Sequence, residues 1–158
     1  MKPLLLLIAL AVSSFSSVTM ACETVTSGSI IADHAWTRAT IGAGRPGALY
    51  VTITNDGTVD DALTSIETSV ARMSMMHQTV VEDGIAKMPH AASIPLPAGE
   101  TVFLEPGGLH GMLTGLDAPL KEGTTIDVTL RFEKAGALTL KADVLSLRAE
   151  GPECDGEH

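Results

Sequence analysis

The stretch TIDVTLRFEKAGALTLKADV, residues 125–144, decides the fold. Ile126, Val128, Leu130 and Phe132 alternate with Asp127, Thr129, Arg131 and Glu133. After Lys134-Ala135-Gly136 the alternation resumes at Leu138, Leu140, Ala142 and Val144. Successive side chains of an extended chain point to opposite faces, so a period of two marks a strand with one wet face and one buried face. Two such runs across a glycine-containing turn predict a hairpin.

The same pattern recurs toward the N-terminus. In ALYVTITN, residues 48–55, Leu49, Val51 and Ile53 share one face and Tyr50, Thr52 and Thr54 the other, with Asn55-Asp56-Gly57 as the following turn. Shorter candidate strands cover 63–67, 73–81, 85–90, 101–105 and the region of 110–112. No segment carries a convincing amphipathic helix pattern. Short strands between turn signals predict an all-β chain, an antiparallel β-sandwich or small barrel. At 158 residues, without internal repeat or linker, the chain is expected to hold a single domain over 22–158.

Residues 1–21 read as a secretory signal peptide: Lys2, an apolar run from Leu4 to Val12, then small residues ending in Thr19-Met20-Ala21. That run is too short to span a bilayer comfortably, and no later segment approaches the length needed. The expectation is an exported protein, periplasmic in a bacterium, with no transmembrane segment. The two cysteines, Cys22 and Cys154, are then expected to pair, as thiols do in oxidising compartments. Lipidation of Cys22 is the competing fate, although Thr19-Met20-Ala21 lacks the leucine usual before a lipidated cysteine. A net charge of −9 argues against nucleic acid as a partner. The final GPECDGEH reads as a solvated tail.

In MMHQTVVEDGIAKMPH, residues 75–90, Asp83-Gly84 between Val80-Val81 and Ile85 predicts a two-residue type I′ turn. That register sets Glu82 opposite Ile85, Thr79 opposite Met88 and His77 opposite His90, so that His77 and Met88 are diagonal neighbours on one face. Further on, His110-Gly111-Met112 follows the turn signal Pro106-Gly107-Gly108, and in a strand His110 and Met112 project side by side. Two imidazoles and two thioethers form a neutral, partly soft donor set. Thioether sulfur selects Cu(I), and the absence of carboxylate and thiolate points away from calcium, magnesium and structural zinc.

The spacing His77, ten residues, Met88, twenty-one residues, His110, one residue, Met112 resembles the copper-binding motif of the periplasmic copper chaperone family often called PCuAC. At this composition the spacing arises by chance roughly 3 times in 10,000. The resemblance extends over about residues 33–145. It takes in Ala35-Trp36-Thr37-Arg38, the 50–55 strand, Asp83-Gly84, Leu96-Pro97-Ala98-Gly99, Pro106-Gly107-Gly108 and Leu130-Arg131-Phe132-Glu133 with Gly136. It implies a cupredoxin-like β-sandwich that binds one Cu(I) near its surface through His77, Met88, His110 and Met112. It further implies delivery of copper to the binuclear copper site of cytochrome c oxidase, with the copper-bearing oxidase subunit and a Sco-type thioredoxin-fold protein as partners.

Met73, Met75, Met76 and His90 crowd the first ligand pair and depart from the family pattern. Packing is their expected role, with ligation by one of them the alternative. His34 is expected to be a surface histidine beside the core residue Trp36, and His158 part of the tail. A blue-copper electron carrier would need a cysteine ligand, and no cysteine lies near the motif. No nucleophile motif, zincin motif or informative carboxylate pair is present, so the chain is expected not to be an enzyme. Copper buffering without specific delivery requires the same four residues and is the alternative function.

Overall fold

The structure, a computed structural model, describes residues 22–42 and 44–154. The signal-peptide assignment to 1–21 and the tail histidine His158 lie outside the described residues. Among the described residues twelve strands follow one another: β1 (Val25–Ser27), β2 (Ile30–Arg38), β3 (Gly47–Asn55), β4 (Asp61–Glu67), β5 (Ala71–Gln78), β6 (Val80–Glu82), β7 (Ile85–Lys87), β8 (Ile94–Leu96), β9 (Thr101–Leu104), β10 (Leu109–Leu116), β11 (Thr125–Phe132) and β12 (Ala137–Leu145).

Alternation places the core. Ile126, Val128, Leu130 and Phe132 of β11 and Leu138, Leu140, Ala142 and Val144 of β12 are all buried, and the two strands pair with Val128 opposite Leu140. From β3, Leu49, Val51 and Ile53 join the same core. Burying aliphatic side chains of this size contributes about 1.5–3 kcal/mol apiece, which makes this face the main stabilising surface.

The large sheet runs β5, β10, β9, β3, β2, β12, β11, β4, β8, with β1 added to β2 and β10 also pairing with β3. Its path through the chain brings β4, near one end, into contact with β5, at the other, so the sheet nearly closes into a barrel around the core. The expected all-β fold is observed, and most pairings are antiparallel as expected. Two are parallel, β12 with β2 and β10 with β9. β12 and β2 are distant in sequence, so no local turn signal announces their pairing, whereas β9 and β10 follow one another in the chain and meet only at Leu104 and Leu109.

Two buried polar residues stitch the loops to the sheet. Asn55 donates from Nδ2 to the carbonyls of Val59 and Leu96. The Asp61 carboxylate accepts the backbone N–H groups of Ala62, Lys134 and Ala135, fastening the β11–β12 turn onto β4. Burial alone would raise the Asp61 pKa; these three donors and the Lys134 charge outweigh it and hold the carboxyl below its ordinary value.

The ends of the described chain are tied together. Cys22 and Cys154 form a disulfide with Cα atoms 5.5 Å apart, as the sequence predicts. The same sulfur cannot carry both this bond and a lipid. The C-terminal segment is held rather than loose: Arg38 donates from Nε to the Ala149 carbonyl at 2.8 Å.

Candidate metal centre

Asp83 and Gly84 have φ of 53° and 76°, the left-handed pair a type I′ turn requires. The turn pairs Glu82 with Ile85 and Val80 with Lys87, and further along His77 forms a bridge with His90. The hairpin register read from sequence is therefore the one observed. Flanking the bridge, Gln78 N–H donates to the Pro89 carbonyl and Ala91 N–H to that of Met76.

On its other edge β5 pairs with β10, and here His77 lies directly opposite His110 and Met75 opposite Met112. His90, His77 and His110 thus form a row across three adjacent chain segments. Ring centroids are 6.0 Å apart for His90 and His77 and 5.9 Å for His77 and His110, both pairs edge to face. Met112 lies one step along the same face, beside Met75. Met88 lies two residues before His90, more than half exposed.

The opposite face of these two strands belongs to the core. Met76 is 3% exposed and Leu113 fully buried. Between His110 and Met112, Gly111 faces inward. A Cβ there would meet Ile66 Cδ1 at 2.9 Å and Leu49 Cβ at 3.2 Å, so the backbone needs a residue without a side chain. The glycine allows β10 to press onto the core while its two donors project outward.

The surroundings of His77 favour its neutral form. Burial, then the neighbouring His110 and His90, hold the His77 ring below the ordinary histidine pKa. Nδ1 of His77 is buried and has no hydrogen-bond partner. His110 is 5% exposed, and its Nδ1 lies 3.1 Å from the Gly108 carbonyl. A carbonyl only accepts, so Nδ1 is the donor to it, which in the neutral ring leaves the lone pair on Nε2. The face therefore offers nitrogen and sulfur donors, one of them a buried His77 nitrogen with no hydrogen-bond partner. A soft or borderline cation would satisfy it.

Of the four residues singled out from sequence, His77, His110 and Met112 are brought onto one face by the β5–β10 register, while Met88 is presented from the exposed hairpin arm. Met75 and His90, expected to pack, take no part in the core: Met75 pairs across from Met112, and His90 is exposed. The alternation of Met73, Met75 and His77 carried that signal. Among the described residues, only Met76 behaves as a core methionine.

Comparison with known proteins bears on the fold. A copper-bound PCuAC domain from PmoF2 superposes with a TM-score of 0.68 and 27% identity, covering 78% of this chain and 98% of that domain. The solution structure of CuI-DR1885 from Deinococcus radiodurans gives 0.59 and 31%, covering 72% and 76%. Among curated proteins, "Putative lipoprotein Lxx21020" of Leifsonia xyli subsp. xyli is 40% identical over 99 residues. This chain spans 58% of that relative's length, and the match covers 62% of the chain. The fold is that of PCuAC domains, and with a family match running from residue 30 to residue 144, the chain belongs to the family described as "Putative lipoprotein LpqE-like".

Proposed function

We propose that this protein is a copper metallochaperone that holds one Cu(I) through His77, Met88, His110 and Met112 and acts outside the cytoplasm. The observation that carries the reading is the direct pairing of His77 with His110, with a buried His77 nitrogen lacking any partner. Copper-bound relatives of the same fold support it. The role is non-catalytic: the ion is cargo. Its recipient is the binuclear copper site of cytochrome c oxidase, reached in company with a Sco-type protein. An exported, lipoprotein-related family is consistent with that place of action.

Anaerobic titration with Cu(I) against a calibrated competing chelator tests the site. One tight equivalent is expected, lost in His77→Ala/His110→Ala. No tight equivalent, or one untouched by that variant, refutes the assignment. Delivery is separated from buffering by mixing the Cu(I)-loaded protein with the apo copper-bearing domain of the oxidase subunit. Transfer faster than to a chelator of equal affinity supports delivery, and equal rates support buffering.

A further inference from the structure

Among the described residues, one trio of side chains of the His, Cys, Asp or Glu kind brings its ligating atoms within 4.8 Å of one another: Cys22, His34 and Cys154. It shares no residue with the histidine row. The fold goes to some length to place His34 there. The β2–β3 register slips between Asp33 and Trp36, and His34 has a φ of 51°, left-handed backbone that side-chain-bearing residues seldom adopt. A bulge of this kind re-aims a side chain, here toward the joined chain ends. Tying two termini together needs no histidine beside the bond.

The imidazole is also oriented. His34 Nδ1 lies 2.5 Å from the Asp33 carboxylate. Carboxylate–histidine pairs hold metal-binding rings in one tautomer and leave the other nitrogen free to coordinate. Asp33 and His34 line a cleft of about 410 Å³ together with Glu105 and Glu150. Three carboxylates around an open cleft draw cations toward it.

We propose that Cys22, Cys154 and His34 are a redox-gated metal site, closed in the disulfide form and opened by a dithiol reductant to bind a thiophilic cation of the Cu(I) or Zn²⁺ class. In the opening step the dithiol forms its own disulfide, and its two electrons and two protons convert Cys22–Cys154 into two thiols. Cation binding then displaces both thiol protons to solvent, leaving two thiolates and one imidazole as ligands, a donor set that thiophilic ions accept.

The test uses the full chain and Co²⁺ as the probe. A phosphine reduces the disulfide, becoming the phosphine oxide with the oxygen of water, and is removed anaerobically before titration. The expected result is one equivalent of Co²⁺ with a thiolate-to-cobalt charge-transfer band in the reduced protein and no such band in the oxidised protein. Zn²⁺ displaces it. His34→Gln lowers the Co²⁺ affinity about tenfold or more, while His77→Ala/His110→Ala leaves the band unchanged, which separates this site from the proposed copper site. A reduced protein that keeps its β-sheet circular dichroism but gives no band overturns the proposal. So does an affinity unchanged in His34→Gln. Loss of the fold on reduction overturns it as well, because the disulfide is then a structural tie alone.

Discussion

Gly111→Ala tests whether the outward placement of the two donors rests on close contact beneath them. The new methyl would lie 2.9 Å from Ile66 Cδ1, 3.2 Å from Leu49 Cβ and 3.6 Å from Leu49 Cδ2. The Ile66 methyl is the end of a side chain, but Ile66 is only 3% exposed and Leu49 is fully buried opposite Gly111, so neither has open space to enter. Overpacking of this kind destabilises by about 1–3 kcal/mol. Ile66→Val removes the nearest contact and by itself costs about 0.5–1.5 kcal/mol. If the contact is the cause, the double variant is less destabilised than the two single losses together by about 1 kcal/mol, a coupling expected of residues in contact. Urea unfolding of the four apo proteins, fitted with a common m-value, measures it. Additive losses would refute the steric account, as would a Gly111→Ala midpoint equal to that of the parent. The same displacement of β10 should weaken Cu(I), with Ile66→Val restoring part of the affinity.

Four further outcomes follow from the chemistry of single groups. Met88→Ala and Met112→Ala are each expected to weaken Cu(I) much more than Cu(II), since the lost donor is soft; equal losses in competition titrations would contradict thioether ligation. His77 has a lowered pKa in the fold, so the unfolded chain takes up its proton first as pH falls. His77 therefore leaves stability unaffected above about pH 6.5, and stability declines below that value until the folded-state ring also protonates. Cu(I) affinity should fall below about pH 6 as protons compete for the imidazoles, and a flat profile from about pH 7 to 5 would exclude histidine ligation. Asp61→Asn sets an amide donor or a poorer acceptor against the N–H groups of Ala62, Lys134 and Ala135, for a loss of about 1–3 kcal/mol in urea unfolding. Because the folded Asp61 pKa is lowered, its contribution is complete above the ordinary value of 3.8 and lost as pH falls through the folded value, so the parent and the variant should converge in acid.

How far the structure was legible depended on whether the period of two survived. It survives in β11 and β12, whose buried residues are the alternating ones, and in β3 apart from Tyr50, which is buried between Leu49 and Val51 on the face expected to be wet. In β2 it is broken by the bulge: Ala35, Trp36 and Thr37 are buried in succession, and a three-residue buried run carries no strand signature. β8 is three residues long with Pro95 at its centre, too short for any periodicity. The run read as one strand over 73–81 is two, because Thr79 N–H turns to the Gly108 carbonyl and the chain leaves the sheet to form its hairpin. For the site, the Asp83-Gly84 turn was local and so its register could be read. The pairing of His77 with His110 spans 33 positions and depends on how two distant strands meet. The placement of His34 beside the disulfide was illegible for the same reason as β2 itself.

The gradient of exposure along the proposed ligand set bears on release as much as on binding. His110 is 5% exposed and fixed by the Gly108 carbonyl, His77 is partly buried on β5, and Met88 stands 53% exposed on the hairpin. A cation held by all four would have its least anchored donor on the solvent side, where a partner's ligand can replace it while the buried histidines still hold the ion. Exchange then proceeds one donor at a time, without a state in which bare Cu(I) must be solvated. The order follows from the fold: β10 fixes its donors against the core, as the glycine contact with Leu49 and Ile66 requires, and the hairpin carries its donor on a short arm outside it. On this reasoning Met88→Ala should speed loss of Cu(I) to an acceptor, whereas His110→Ala should abolish tight binding before transfer can be measured. If both variants merely weaken binding to the same extent and leave the transfer rate per bound ion unchanged, the exposed methionine has no privileged part in release.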